Sequence, residues 1–320
     1  MGVALQLGMS LQRLKHAALV LILIVPAPAL AQARFRSGID LVALDVCVKD
    51  RNGNPVTKLN PDDFLVLENN VPQTISLFSG GGYVPLAVSL LIDNSHSMDG
   101  VRIERARAAA SGLIDVLRPG DLVEVVSFNS DVNLRYPMGP DHAQAKLALD
   151  NLSAGGMTAL REAMLVALND HKRARRRRDK EYHEVIVLLS DGQNTMGNVT
   201  FDDMLEAVRR SGVMVYTISL RTDEHDRVVA PSWEMAQLAF NTGGRAIAVR
   251  DLNGLTHIYQ EIAAELLHLY RVGYVPLQAT RDGQWRQVSV RAPAKNLVIR
   301  ARSGYYAPRP GTKGWGPEAR

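Results

Sequence analysis

Asp93, Ser95 and Ser97 stand at alternate positions in the run LLIDNSHSMDG, directly after an aliphatic stretch. In an extended segment that spacing throws three small oxygen-bearing side chains to one side. Such a trio can hold a hard cation, orient a phosphate or cap the following helix. Two other segments carry oxygen donors beside glycine. SAGGMTAL offers Thr158 in a loop just before a helical stretch, and VLLSDGQNT ends an apolar run with Asp191 before Gly192. Brought together, these are two carboxylates and three hydroxyls. Hard oxygen donors of this kind suit Mg2+, Mn2+ or Ca2+, and suit zinc or copper poorly.

Competing chemistries lack their parts. A phosphatase of the haloacid-dehalogenase type needs a second Asp two residues after the first, and Ser95 stands there. The strained G-x-S-x-G elbow of a serine hydrolase is absent, and His96 adjoins both serines instead of facing either, so it reads as a rim residue. No G-x-x-x-x-G-K-[ST] loop supports nucleotide hydrolysis. Helix capping accounts for Asp93 and the serines but leaves Thr158 and Asp191 unexplained. A metal-assisted hydrolase would want a general base, and none is visible. The expectation is a non-enzymatic chain with no catalytic residues.

The elements that must position these residues follow the alternation of the chain. From Val84 onward, apolar strands such as VPLAVSLLID and VIVLLSD alternate with helical stretches, the pattern of a doubly wound, mostly parallel α/β sheet. Ligands of such sheets bind beyond the carboxyl ends of the strands, where Asp93 and Asp191 fall. Helices are expected over 159–172 and 255–270, the last with Leu255, Ile258, Tyr259, Ile262 and Leu266 on one face. Before and after lie short alternating strands: DLVALDVCV, then Asn52-Gly53 as a hairpin signal, then strands around Asn69-Asn70. YRVGYVPL, QWRQVSVRA and NLVIRARSGYY read as three more. The economical arrangement is one small β-sandwich made from both ends, with the α/β unit inserted. The expected division is 1–31 leader, 35–82 sandwich strands, 84–267 α/β domain, 269–307 sandwich strands and 308–320 loose tail.

On these residues the chain resembles the von Willebrand factor type A domain. DNSHS is similar to its D-x-S-x-S motif, Thr158 to its loop threonine and Asp191 in SDG to its final aspartate. The resemblance spans about 84–267 and includes RPGDLVEVVSFNS. VCVKDRNGNPVTKLNPDDFLVLENNVPQTISLF and RARSGYYAP resemble exported bacterial proteins carrying a related domain. It implies a metal-ion-dependent adhesion site of Asp93, Ser95, Ser97, Thr158 and Asp191. The serines would ligate directly, the threonine directly or through water, and one position would stay open for an acidic side chain of a partner protein.

Composition bounds the rest. With 320 residues, 46% hydrophobic and 22% charged, the chain builds a real core. Arg13 and Lys15, the apolar run AALVLILIV and the small residues Ala29, Ala31 and Ala33 describe a secretory signal peptide, cleaved after Ala31 or Ala33. Nine aliphatic residues are too few to span a bilayer, so no stable membrane anchor is expected after cleavage, and the chain would act in the periplasm or outside the cell. Cys47, the single cysteine, reads as a small strand residue. Of the net +4, two charges belong to residues 1–31 and six to HKRARRRRDK at 171–180, leaving −4 elsewhere. One basic spike without interleaved aromatics does not make a nucleic-acid surface. It reads as a solvated helix end and loop. If the metal site were vestigial, this run or the sandwich would be the alternative binding surface.

Overall fold

The computed structural model describes residues 41–80, 84–191, 194–220, 232–249, 251–293 and 296–311. The expected leader and most of the expected tail lie outside these residues. The described chain opens with β1 (Val42–Lys49), β2 (Leu65–Glu68), β3 (Val71–Gln73) and β4 (Ile75–Ser79). Then come β5 (Leu86–Asp93), α1 (Val101–Asp115), β6 (Leu122–Phe128), β7 (Val132–Gly139), α2 (His142–Asp150) and α3 (Leu160–Arg177). They are followed by β8 (His183–Ser190), α4 (Phe201–Ser211), β9 (Met214–Ser219), α5 (Trp233–Thr242), β10 (Ala246–Ala248) and α6 (Leu255–Leu266). The last strands are β11 (Tyr270–Tyr274), β12 (Trp285–Arg291), β13 (Val298–Arg300) and β14 (Gly304–Tyr306).

The central sheet runs β10-β9-β8-β5-β6-β7, parallel through β6 and antiparallel at β7. Every residue of β5 and β8 is buried, as strands covered on both faces require. Alternate side chains feed two cores. Leu86, Val88, Leu90 and Ile92 meet α1, α2 and α6, while Leu91 joins Val126 and Leu188 against α3, α4 and α5. The sequence reading contains no counterpart of β7. It carries polar residues and Pro137 instead of an apolar run, which an edge strand tolerates.

Two four-stranded sheets, β13-β1-β11-β4 and β14-β12-β2-β3, each take strands from both sides of the central sheet. They face each other over a shared core that includes Leu44, Val46, Tyr270 and Val272 on one side and Val66, Val288 and Tyr305 on the other. The Asn69-Asn70 turn adopts left-handed backbone at both residues and joins β2 to β3. The Asn52-Gly53 turn also forms, but it leads only to a single bridge between Lys49 and Pro55. Both edges of β1 are already taken, by β11 and β13. NLVIRARSGYY is two strands instead of one, β13 and β14 entering opposite sheets. Its crossing point is held where Ser303 N–H donates to the Asn241 carbonyl at 3.2 Å. Gly243, at φ +82°, ends α5 there, and a Cβ on it would lie 2.5 Å from the Ala301 carbonyl carbon.

Polar junctions join the sandwich to the α/β unit. Glu265 of α6, 1% exposed, receives Lys49 Nζ of β1 at 2.9 Å, Arg245 at 3.4 Å and the Arg300 guanidinium of β13. Burial alone would raise its pKa, but Arg300, Arg245 and Lys49 together hold it below the usual carboxylate range. Arg271 of β11 and His183 of β8 likewise meet Asp45 of β1, at 2.9 and 2.8 Å.

Two expectations shift at helix ends. The final helix stops at Leu266, because Tyr270 enters β11 and donates its hydroxyl to the Val56 carbonyl at 2.8 Å. Helix α3 continues into the basic run as far as Arg177. The run is not wholly solvated: His171 is fully buried, and Arg175 and Arg178 pair with Glu184 of β8. Arg173, Arg176 and Arg177 remain exposed. Among the described residues no helix is long and apolar enough to cross a membrane.

Candidate metal centre

Asp93 closes β5 in register with Phe128 of β6 and is fully buried. Its two oxygens are oriented separately. Oδ1 accepts from Ser95 N–H at 2.8 Å, and Oδ2 accepts from Ser190 Oγ at 2.6 Å. The chain then makes one 3-10 turn over His96–Met98 before α1. Neither the turn nor α1 is capped by a side chain, since Ser95 makes no cap hydrogen bond and α1 starts from Gly100. The capping explanation of Asp93 and the serines therefore fails. Instead the Ser95 and Ser97 hydroxyls converge to 3.1 Å, with Ser95 buried and Ser97 exposed.

The glycine loop that precedes Thr158 is bonded to this turn. Asn94 Nδ2 donates to the Ser153 carbonyl at 2.8 Å, Gly155 N–H to the Asn94 carbonyl at 2.9 Å and His96 N–H to the Gly156 carbonyl at 3.0 Å. Asn129 binds the same loop, donating to Gly155 O at 2.8 Å and accepting from Ala159 N–H at 2.8 Å. Gly156 has φ +81°, and a Cβ there would lie 2.7 Å from Ser130 Oγ, so the close approach needs glycine. Thr158 is buried and exchanges hydrogen bonds with Thr195: its N–H donates to Thr195 Oγ1 at 2.9 Å and its carbonyl accepts from Thr195 N–H at 3.0 Å.

Asp191 follows Ser190 directly and is half-buried. The Asp93 carboxyl is pushed above the usual range, first by burial and further by the negative charge of Asp191, against the hydrogen bonds from Ser190 and Ser95. Asp191 acts on Asp93 through its charge, and the Ser95 and Ser97 hydroxyls converge beside Asp93, oxygen donors of the kind a hard divalent cation would take. Among the described residues no group of three or more His, Cys, Asp or Glu could hold a metal. A divalent site here therefore depends on the hydroxyl oxygens. His96 stands exposed at the rim.

Asp93, Ser95 and Ser97 come together at the end of β5, whereas Thr158 is shown bonded to Thr195; the supporting residues were not expected from the sequence. Ser190 carried a usable signal, a hydroxyl immediately before the aspartate in LLSDG. Asn94, Asn129 and Thr195 carried none, because their roles depend on which loops meet.

The von Willebrand factor type A domain model matches residues 88–261. An uncharacterized protein of Synechocystis sp. is 32% identical over 117 residues, covering 36% of this chain and 27% of the relative. Human inter-alpha-trypsin inhibitor heavy chain H4 is 27% identical over 195 residues, covering 58% of this chain and 21% of the relative. The chain thus spans about a quarter or less of the length of these curated relatives. Among solved structures, the von Willebrand factor type A protein from Catenulispora acidiphila covers 85% of this chain and 74% of its own, at TM-score 0.51 and 15% identity, a likeness of fold. Domains of this kind are generally protein-interaction or adhesion modules and are often metal-dependent. With more than half of its length matched across the central sheet and its helices, the chain belongs to the von Willebrand factor type A domain family.

Proposed function

We propose that this chain is an exported protein-binding module in which Asp93, Ser95, Ser97, Thr158 and Asp191 hold a divalent ion, Mg2+ or else Mn2+ or Ca2+. The partner would be a protein presenting an acidic side chain. The observation that carries this reading is the convergence of the Ser95 and Ser97 hydroxyls at 3.1 Å beside a fully buried Asp93 whose oxygens are each oriented by a hydrogen bond. A bound ion would supply an electrophilic position open to a carboxylate oxygen. Asp93 and Asp191 balance a dication, so a partner carboxylate is not repelled as it would be by a cage of four acids. Ser95, Ser97 and Thr158 add donors without adding charge.

The chain is read as a binder and not a catalyst. The Ser95 and Ser97 hydroxyls meet each other, and Ser95 also bonds the Asp93 carboxylate that is proposed as a metal ligand. Export rests on the leader features of residues 1–31, and the division into 35–82 plus 269–307 around 84–267 is part of the same proposal. The exposed arginines of the 171–180 run form the alternative binding surface, diminished by the inward pairing of Arg175 and Arg178.

A pull-down from the native host with and without EDTA tests this reading. The partner should be retained only with Mg2+ present and should be lost with Asp93→Ala. Retention in EDTA would contradict it.

A further inference from the structure

The rim of the candidate centre carries both polar and large apolar exposed side chains. On the side of the 3-10 turn His96, Ser97 and Asp99 stand open, Val101 is 56% exposed, and Arg102 Nη1 donates to the Ser97 carbonyl at 2.8 Å. Beyond Thr158, large apolar side chains stand exposed among polar ones such as Thr195 and Asn198. Met157 is 50% exposed, Met196 42% and Trp233 65%.

These three come from separate segments held on one framework. Met157 precedes Thr158, and its N–H donates to Ser130 Oγ at 2.9 Å. Met196 N–H donates to the Thr158 carbonyl at 3.2 Å. Asn194 donates to the Met196 carbonyl at 2.8 Å and accepts from Arg161 N–H at 3.1 Å, fixing the loop to the first turn of α3. Arg161 then donates to the Val199 carbonyl at 3.1 Å and to both carboxylate oxygens of Glu234, next to Trp233. The Trp233 ring rests on Phe201 with centroids 4.8 Å apart. Helices α4 and α5 both begin at the sheet edge where β5 and β8 end, so the apolar group and the centre share that edge.

Single apolar residues on a surface are ordinary, but a cluster beside a binding centre marks an interaction surface. Aromatic residues and methionine are enriched in interface cores, and tryptophan is a frequent anchor. The hydrogen-bonded framework sets these side chains in place before binding, which lowers the ordering cost. Beside Trp233, Arg161 and Glu234 pair with each other.

We infer that Met157, Met196 and Trp233 form a docking shelf for a protein segment that brings an acidic side chain to the centre and a neighbouring large apolar side chain across the shelf. This inference rests on the proposed reading of the centre as a carboxylate-accepting metal site. Its test is selection of a random linear peptide library on the full chain in MgCl2, with elution by EDTA. Enriched peptides should carry Asp or Glu beside Trp, Phe, Leu or Met. Synthetic copies should bind about tenfold more weakly to Trp233→Ala and to the double variant Met157→Ser/Met196→Ser. Mg2+ affinity by calorimetry and thermal midpoint should be unchanged in both variants, because the altered side chains are exposed. Enrichment of acidic peptides without apolar neighbours, or unchanged peptide affinity in the variants, would overturn the shelf and leave the centre standing. Absence of any EDTA-dependent enrichment would overturn the reading of the centre. A wild-type dimer in sedimentation that Trp233→Ala dissociates would make a second copy the occupant and overturn the inferred partner.

Discussion

The Ser190 hydroxyl donates to Asp93 Oδ2 at 2.6 Å, tying the ends of two adjacent parallel strands at the residue before Asp191. Asp93 is thereby aimed by β8 as well as by its own turn. Ser190→Ala should leave the fold intact at a cost of about 1 kcal/mol, the net worth of one hydrogen bond. It should weaken divalent-ion binding about tenfold, as loss of an orienting partner does. Calorimetry with Mg2+ checks this, and an unchanged affinity would remove Ser190 from the account.

Glu265 is the tie between sandwich and α/β unit most exposed to mutation, because three cations converge on one closed carboxylate. Glu265→Ala takes from Lys49 and Arg300 the carboxylate they share, while Arg245 keeps Glu261 at 2.8 Å. The expected loss is about 3–5 kcal/mol in urea unfolding. A loss below about 1 kcal/mol would mean that solvent reaches the junction freely.

Behind the site, Ser89, Glu124 and His171 form a fully buried chain, with the Ser89 hydroxyl donating to Glu124 and lying 3.0 Å from His171 Nε2. Burial, with the Asp170 charge adding and the Ser89 hydrogen bond opposing, pushes Glu124 up to about 8. The folded chain therefore keeps a proton that the unfolded chain releases, and this stability is lost as pH rises from about 4.5 to about 8. Burial lowers His171 to about 4, opposed by Glu184 and assisted by Arg178 and Arg175, so its stability is lost as pH falls from about 6.5 to about 4. The slopes oppose each other in the middle and leave a net decline from about pH 6.5 to about pH 8. Glu124→Gln keeps the neutral shape and should flatten that decline, a gain on the order of 2 kcal/mol at the upper end. Urea midpoints measured across this range decide it. A variant declining as steeply as wild type would contradict the assignment.

The basic run divides into two classes. Arg176→Ser and Arg177→Ser alter exposed charges and should change stability by under about 0.5 kcal/mol. Arg175→Ser leaves Glu184, 9% exposed, short of its main partner and should cost about 1–3 kcal/mol. Thermal unfolding of the single variants separates them. Equal effects would mean that the Arg175–Glu184 pair is not maintained in solution.

Legibility in the sequence followed the range of the interactions. Strands β5 and β8 were readable because burial on both faces leaves a continuous apolar run, and Asp93, Ser95 and Ser97 because their spacing is local. The α/β alternation and the pairing of both chain ends into two sheets followed from such runs. What escaped depended on distant partners. Nothing in HKRARRRR distinguishes His171, buried against Ser89, from Arg176 in solvent. NLVIRARSGYY reads as one strand because its break at Ala301–Ser303 is imposed by α5, some sixty residues earlier. Asn94 and Asn129 look like ordinary loop asparagines until the Gly155–Gly156 loop is laid against them.

The central claim, that Asp93 anchors a divalent ion, is met most directly by calorimetric titration of Mg2+ and Mn2+ into wild type and Asp93→Ala. Removing this carboxylate leaves one acid and mainly neutral hydroxyls around a dication, while the aliphatic core of β5 is untouched. The account predicts saturable binding to wild type and none to Asp93→Ala, with both proteins folded by circular dichroism. Equal metal affinity in the two proteins, or no binding to either, would contradict it.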